Sequence, residues 1–302
     1  MTSAADERAR RLADEPFRST APVTGGVSGG LFRQVADIWR RRELLDMLIR
    51  RELKARYKDS TLGFVWSLMR PLAMLLIYYI ALGQFLGAAR AIPDFAIFIY
   101  TGLTAWGLFS ETVTTSTASI VNNSGLIKKV YLPREIFPIA SLGSSLFNFG
   151  IQLVILFAAT VVAGAVPTGT RWLYLPLALA VVVVWAMAWS LLLSAVNVFL
   201  RDVQYLVEIA LMIAFWLSPI VYSWHLVDDT LADGFLKDLY LANPVTLAIL
   251  GFQETFWVRG DSQPPPDGLG ASLWIALGIG AVLVLVAQRV FSRLQGNFAQ
   301  EL

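Results

Sequence analysis

Six long apolar runs occupy most of the chain, and each is long enough to cross a lipid bilayer. A membrane-spanning helix needs about 20 consecutive, mainly apolar residues. The runs lie at 64–87, 95–119, 136–164, 172–199, 203–223 and 270–291. This pattern predicts an all-α integral membrane protein with six transmembrane helices, within a membrane domain that covers residues 62–302.

The stretch 31–61, which precedes the first run, alternates apolar and basic residues at helical spacing. Val35, Trp39, Leu45, Leu48 and Leu53 recur on one face, and arginines and lysines fill much of the remainder. We expect a basic amphipathic helix that lies in the membrane interface and attracts anionic lipid. A second interpretation is that it contacts a phosphate-bearing substrate or a partner subunit. Residues 1–30, rich in Gly, Ser, Thr and Pro, are predicted to form a flexible leader.

The segment 224–269 is acidic but also contains apolar stretches such as VTLAILGF. A segment with so many apolar side chains is not expected to be fully exposed to water. We therefore expect short re-entrant helices that return toward the membrane and break near Asn243–Pro244, since irregular backbone at membrane depth must lie against protein or water.

The basic residues are distributed asymmetrically along the chain. With the N-terminus inside, all but four of the 24 Lys and Arg residues lie in cytoplasmic segments or at their borders. Positively charged residues favour the cytoplasmic side of a membrane protein. The pattern predicts that both termini are inside and that the loop 122–135 is cytoplasmic. The four exceptions are Arg90, Arg171, Lys237 and Arg259.

The composition fits this reading and excludes several kinds of chemistry. The chain is 56% hydrophobic and 15% charged, whereas soluble domains are roughly 45–50% apolar and about 25% charged. It has no cysteine and one histidine, which excludes disulfides and zinc-thiolate sites. The phosphate-binding pattern G-x-x-x-x-G-K-[ST] is absent. We therefore expect no catalytic residues, no metal and no cofactor in this chain, and no nucleic-acid partner.

Polar and aromatic residues inside the runs are candidates for a transport pathway. Glu111, among serines and threonines, and Glu208 are costly at membrane depth, so each either packs in a polar seam or lines an aqueous path. Aromatic rings near the interfaces are usually membrane anchors, but rings can also contact the apolar faces of sugars. The aromatic candidates for a pathway are Tyr78, Phe85, Trp106, Phe109, Phe215, Trp216 and Tyr222.

Several stretches together resemble one family. KARYKDSTLGFVWSLMRPL, NNSGLIKKVYLPREIFP, RDVQYLVEIALMIAFWLSPIVYS, NPVTLAI and FSRLQGNFAQEL occur in this order between residues 54 and 302. They resemble the ABC-2 type permeases that export polysaccharides, among them the exporters of O-antigen, teichoic acid and cell-wall galactan. The resemblance extends over residues ~40–302, and each stretch alone would be a weak signal.

The resemblance implies a homodimer in the bacterial inner or plasma membrane that moves a lipid-linked glycan out of the cytoplasm. Two copies of a separate ATPase subunit would bind below it and carry ATP and Mg²⁺. The loop 122–135 would form a short coupling helix, with an asparagine or serine at its cap and Pro133 at its end. Its apolar residues would enter a cleft on the ATPase and its lysines would contact the rim. The residues concerned are Asn123, Ser124, Leu126, Ile127, Lys128, Lys129, Val130, Tyr131, Arg134 and Glu135.

By the same resemblance, the diphosphate of the lipid carrier would meet basic residues at the cytoplasmic mouth of the pathway. The candidates are Arg50, Arg51, Arg56 and Lys58. Two alternatives remain open from the residues: a related permease that exports a small amphiphile, and a membrane transferase built on the outer aspartates Asp228, Asp229 and Asp233.

Overall fold

The computed structural model describes residues 42–57, 65–129, 132–231 and 234–302. Residues 43–302 form one unit by their internal contacts, and the fold below is that of this unit. No β-strand occurs in the described ranges.

Long helices provide the framework. They are α1 (Arg42–Tyr57), α2 (Val65–Tyr78, continued by a π-helical segment Tyr79–Phe85), α4 (Phe95–Asn122), α6 (Ile136–Val162), α7 (Tyr174–Phe199), α8 (Val203–Trp216), α11 (Pro244–Phe256) and α12 (Leu269–Leu294). Short helices join them: α3 (Ala88–Ala91), α5 (Ser124–Ile127), α9 (Trp224–Thr230), α10 (Phe235–Leu241) and α13 (Phe298–Glu301). Single 3₁₀ turns lie at Gly169–Leu173, Val258–Ser262 and Gln295–Asn297.

Helix α7 lies at the centre of the packing and contacts α4, α6, α11 and α12. Its small buried residues, Ala178, Ala186, Ser190 and Ser194, leave room for its neighbours. Gly251 of α11 is one close approach, because a Cβ there would lie 2.9 Å from the Cβ of Ala178. Small residues at helix contacts are typical of membrane helix packing.

Three helices in the described ranges are long and apolar enough to cross a membrane: Ile136–Val162, Gly169–Phe199 and Leu269–Asn297. The bent pair α10 and α11 would add a fourth if it counts as one span. Helix α4 has 28 residues, or roughly 42 Å at 1.5 Å per residue, which is long enough to cross a membrane. Its many hydroxyl side chains lower its mean hydropathy, and it is not among these three helices.

Two of the predicted runs are not single regular α-helices over their whole length. The fifth run was predicted over 203–223, but α8 ends at Trp216 and the chain turns through Ser218 to Ser223. In the first run, α2 contains Pro71 and its regular α-helix ends at Tyr78. A proline inside a helix removes one backbone hydrogen bond and favours a bend.

The predicted break near Asn243–Pro244 is present. Helices α10 and α11 meet there at 68°. The Asn243 side chain accepts a hydrogen bond from Val245 N–H at 3.0 Å, and Pro244 follows in the first turn. An N-cap asparagine followed by proline at the first helical position begins a helix efficiently.

Candidate functional site

The short helix α5 lies where the sequence predicted a coupling helix, between α4 and α6. It is a single turn, Ser124–Ile127, followed by the exposed Lys128 and Lys129. Val130 and Tyr131, predicted to belong to the same apolar face, lie outside the described residues. The two lysines are thus accessible at the end of α5.

The cap of α5 differs from the prediction. Asn123 occupies the N-cap position, but its side chain makes no capping bond to α5. Its Nδ2 instead donates to Ser119 O at 2.7 Å, which closes the end of α4. Its Oδ1 accepts from Arg51 of α1. Asn123 therefore joins α4 to the preceding basic helix.

Ile127 is buried within the chain rather than presented to a partner. It is 8% exposed and belongs to a group that we call the loop-end cluster. The sequence-based expectation that Ile127 enters a cleft on another subunit does not fit this burial, because its surface is already covered. Leu126 is half-buried against the same group. The buried members of the loop-end cluster are Leu48, Ile120, Ile127, Ile136, Phe137, Ala140, Leu191, Ala195, Val198, Ala287, Phe291 and Phe298.

Arg134 and Glu135 connect the loop to the C-terminal part of the chain. Glu135 is 4% exposed, and its Oε1 accepts hydrogen bonds from Gln288 Nε2 at 3.2 Å and Gln295 Nε2 at 3.3 Å. The Arg134 guanidinium carbon lies 5.5 Å from the ring centroid of Phe298, in a cation–π contact. These two residues therefore anchor the loop internally.

The roles of Gln288, Gln295 and Phe298 were not predicted from the sequence. Phe291 and Phe298 are seven residues apart, which is two helical turns, and both are fully buried with ring centroids 5.5 Å apart. That periodicity is the one signal that could have indicated a packed C-terminal helix. Nothing local in the sequence pairs the glutamines with Glu135.

The basic helix α1 packs against protein along its described part. Leu48 is 4% exposed within the loop-end cluster. Ile49 packs so close to Gly143 of α6 that a Cβ on the glycine would lie 2.5 Å from Ile49 Cδ1. Ser141 donates to Glu52 at 3.3 Å. Part of the apolar face that was predicted to enter lipid is therefore covered by the helical bundle.

The basic candidates at the predicted mouth are only partly described. Arg50 is exposed and forms an ion pair with Asp46, one turn earlier, at 2.7 Å. Arg51 is exposed and donates to Asn123. The side chain of Arg56 and the whole of Lys58 lie outside the described residues. The structure thus places Arg51 against the loop, whereas the ion pair of Arg50 is with its own helix.

Five of the predicted pathway aromatics form one connected group across α2, α4 and α8. Tyr78 and Phe215 stack with ring centroids 5.9 Å apart, and Trp106 meets Phe215 edge-on at 5.8 Å. Phe109 and Trp216 extend the group at 5.9 and 5.6 Å. Trp106 and Phe109 are buried, whereas Trp216 is 53% exposed. The α8 end of this group therefore offers its exposed ring, and the half-buried Tyr78 lies on α2.

The other two aromatic candidates lie apart from this group. Phe85 is 83% exposed at the end of the π-helical segment. The Tyr222 hydroxyl donates to the backbone carbonyl of Trp216 at 2.8 Å and accepts from Tyr240 at 3.4 Å. Tyr222 thus closes the turn after α8.

Glu111 participates in a polar contact between α4 and α6. The Asn148 side chain donates to Glu111 Oε1 at 2.7 Å. Nearby hydroxyls mostly bond within their own helix, as Thr115 and Thr117 do to the carbonyls of Glu111 and Val113. Of the two interpretations, the packed polar seam describes this contact better. Glu208, by contrast, is exposed on α8.

The two described aspartates of those considered for a membrane transferase, Asp228 and Asp229, do not belong to a metal-binding group. Asp228 pairs with Lys237 at 2.5 Å, Asp229 is exposed, and Asp233 lies outside the described residues. No group of three or more His, Cys, Asp or Glu side chains with metal-binding geometry occurs in the described parts of the chain.

Comparison with known proteins assigns the family. The sequence profile of the ABC-2 type transporter family matches residues 43–257. The chain belongs to this family. The matched region begins in α1 and ends just beyond α11, so it contains the loop, the aromatic group and the bent pair α10 and α11.

Three relatives show how far the similarity to individual ABC-2 proteins extends. An O-antigen export system permease protein of Myxococcus xanthus is 27% identical over 274 residues, which is 90% of this chain and 100% of that protein. A Klebsiella pneumoniae protein of the same name is 28% identical over 261 residues, 85% of this chain and 94% of the relative. The polysialic acid transport protein of Escherichia coli is 24% identical over 184 residues, 60% of this chain and 70% of the relative.

Proposed function

We propose that this chain is the permease subunit of an ATP-driven exporter that moves a lipid-linked polysaccharide across the bacterial inner or plasma membrane. The observation that carries the proposal is similarity over nearly full length. Two relatives named as O-antigen export permeases align over 94–100% of their own length. A third relative is named for polysialic acid transport, so the printed names share export of a polysaccharide.

The permease itself performs no covalent chemistry in this proposal. ATP and Mg²⁺ bind to a separate ATPase subunit, present in two copies, and this chain converts closure of that subunit into movement. The exposed Lys128 and Lys129, with Leu126 beside them, form the contact surface. Ile127 has a different role from the one its sequence position suggested, because it transmits the motion from inside the loop-end cluster.

The contacts around the loop support this coupling role. A push on α5 acts on α1 through Arg51 and Asn123, and on the C-terminal part through Glu135 and Gln288. The loop therefore moves together with the ends of the neighbouring helices rather than as a flexible connection. In this proposal the chain has six spans with both termini inside, and the loop lies in the cytoplasm, as the distribution of basic residues favours.

Two copies of the chain form the pathway in this proposal. Helix α8 presents a row of exposed apolar side chains, and α2 presents another. In a single chain these rows would face only lipid. In a dimer, the α8 row, with Trp216 and Glu208, faces the partner copy across the glycan. The exposed apolar residues of α8 are Tyr205, Leu206, Ile209, Met212, Ile213 and Trp216.

Depletion of the chain in its native cell tests the function directly. The expected result is loss of surface polysaccharide together with accumulation of the lipid-linked glycan in the cytoplasmic leaflet, measured by extraction and sugar analysis. Re-expression of the wild-type chain restores both. Unchanged surface glycan after complete depletion would overturn the proposal, and a selective defect in efflux of a small amphiphile would favour that other class of substrate.

A further inference from the structure

A cavity lies at the end of the protein opposite the coupling loop, and we call it the far-end cavity. Its volume is about 220 Å³. Phe98, one turn from the start of α4, lines it, whereas α5 follows the other end of that helix. Phe98 and Asn122, the last residue of α4, are 24 positions apart, or roughly 36 Å along the helix axis. If the loop is cytoplasmic, as proposed above, the far-end cavity lies on the outer side.

The walls of the cavity are aromatic and firmly held. The Trp257 indole N–H donates to Pro93 O at 2.6 Å, and its ring meets Phe98 edge-on at 4.8 Å. Gly260 covers one face of Trp257, since a Cβ there would lie 2.3 Å from the ring. Trp224, another lining residue, is 6% exposed and stacks with Tyr240 at 6.1 Å.

Most polar side chains in the lining are engaged with backbone or with each other. Gln253 donates to Pro219 O at 2.7 Å. Gln263 accepts from Ser223 at 2.6 Å and donates to Ala91 O at 3.1 Å. These amides hold the wall in position, because hydrogen bonds to their partners fix the orientation of the side chains.

Glu254 is the exception. Every residue from 245 to 257 is buried except Glu254, which lines the cavity and is half-buried. Its carboxylate makes no hydrogen bond to any side chain or backbone group in the described residues. A carboxylate can accept several hydrogen bonds, so Glu254 presents acceptor capacity to whatever enters.

The charges around the cavity select the class of ligand. Glu254 is negative and Arg171, which donates to the Glu254 backbone carbonyl at 3.0 Å, is positive. Arg171 interacts electrostatically with Glu254, so the two charges largely offset each other and a ligand with a net charge of either sign gains little net attraction. A neutral ligand with several hydroxyl groups does not depend on a net charge, because each hydroxyl can donate to the carboxylate, and its C–H groups can contact the aromatic walls.

We propose that the far-end cavity binds one neutral sugar unit, with Glu254 accepting hydrogen bonds from its hydroxyls. Sites for drug-sized ligands occupy about 300–1,000 Å³, so this cavity suits a single sugar rather than a chain. The source of the sugar is the exported glycan, an assignment that rests on the function proposed above. The site then contacts the polymer only after the polymer has crossed the membrane.

Binding of simple sugars to the full-length chain in lipid nanodiscs tests the site. The probes are the methyl glycosides of D-glucose, D-galactose, D-mannose and L-rhamnose, titrated by saturation-transfer difference NMR. At least one should bind saturably, and Glu254→Gln should weaken it by about tenfold or more, the effect of losing hydrogen bonds to a charged acceptor. Asp267→Asn, which changes an exposed carboxylate outside the lining, should leave the Kd unchanged.

A second measurement needs no variant and places the site. A diazirine-bearing methyl glycoside of the best-binding sugar is cross-linked to the wild-type chain, and the labelled peptides are mapped. Cross-links are expected at Phe98, at Arg171 or within 223–225 and 250–265, the segments that line the cavity. Cross-links confined to other regions, binding that is the same in Glu254→Gln, or binding of inorganic phosphate in preference to every sugar would overturn the site.

The export assay separates failure of this site from failure of the proposed function. Normal polysaccharide export by a chain that binds none of the sugars overturns the cavity proposal alone. Sugar binding by a chain whose depletion leaves surface glycan unchanged overturns the exported polymer as the source of the sugar.

Discussion

The two ends of α4 combine apolar packing and hydrogen bonds in different proportions, with a larger buried apolar cluster at the loop end and a smaller one at the far end. At the loop end, apolar side chains from α1, α4, α6, α7 and α12 pack together around Phe291 and Phe298. At the far end, side chains donate to backbone carbonyls of distant segments, as Gln253, Trp257 and Arg259 do to Pro219, Pro93 and Ala163. Dense apolar packing transmits displacement, whereas individual hydrogen bonds fix particular loops.

One end of the fold is therefore suited to receive force, and the other is suited to hold the shape of a cavity. We expect the loop-end cluster to move as a block because its many members share contacts. The far end positions the walls of the cavity through a smaller apolar cluster around Phe98 and Trp257 and through separate hydrogen bonds to backbone carbonyls. Substitutions at the two ends should therefore differ in size and in what they affect.

Phe298→Ala should have the largest effect. It removes a fully buried ring, which typically costs about 3–5 kcal/mol, and it also removes the contact with Arg134. We expect a lower thermal unfolding temperature of the purified chain and weaker coupling to the ATPase. Phe235→Ala, at a 76% exposed ring, is the matched control. Equal unfolding temperatures of the two variants would contradict the view that the loop-end cluster is one tightly packed unit.

Glu135→Ala should come next. It leaves the side-chain amides of Gln288 and Gln295 without their shared acceptor, at a cost of about 2–3 kcal/mol in unfolding free energy. Glu135→Gln keeps an acceptor oxygen and should lose about 1 kcal/mol. ATPase stimulation by the permease should fall in the same order. If Glu135→Ala unfolds at the wild-type temperature, the carboxylate does not hold the C-terminal part.

Gln253→Ala tests the far end. The Gln253 side chain is 4% exposed, and its loss leaves the Pro219 carbonyl without that donor, at about 1–3 kcal/mol. The effect should be local: faster hydrogen exchange around 218–223, with ATPase coupling close to that of the wild-type protein. Gln84→Ala, at an exposed amide, provides the comparison. Uncoupling as strong as that of Phe298→Ala would remove the distinction between the ends.

Arg259→Ala should have the smallest effect. The Arg259 side chain is 54% exposed, pairs with the 17% exposed Asp94 at 3.0 Å and donates to Ala163 O at 2.8 Å, and a partly exposed pair with one such hydrogen bond contributes about 1–2 kcal/mol together. Because salt screens exposed charges, the difference in unfolding temperature between the variant and the wild type should shrink as the salt concentration rises. A difference that grows with salt would indicate that the pair is not the relevant contact.

The sequence predicts those parts of the fold that depend on local pattern. Long apolar runs locate α6, α7 and α12, and Asn243 with Pro244 marks the break before α11. The end of α8 at Trp216 was missed because the apolar pattern continues through the turn that follows. The turn is fixed by tertiary contacts such as the bond from Gln253 to Pro219.

For the candidate site, the sequence locates the loop but not its internal supports. The pattern identifies Leu126 and Ile127 as apolar positions, but it does not distinguish a side chain that meets a partner from one buried in its own chain. Glu135 and Gln295 are 160 positions apart, and the walls of the far-end cavity come from five separate segments. Such pairings depend on how helices pack, which no local pattern records.

The π-helical segment Tyr79–Phe85 bears on how related chains can differ in length. Leu86 N–H donates to Ala81 O, five residues back, at 3.2 Å, so this stretch contains more residues per turn than an α-helix. Deleting one residue elsewhere in a helix rotates everything beyond it by about 100°. A deletion within Tyr79–Phe85 could instead be absorbed by a return to regular α-helix, leaving the faces on either side aligned. This segment is therefore where a one-residue gap would be tolerated between relatives that share the same packing.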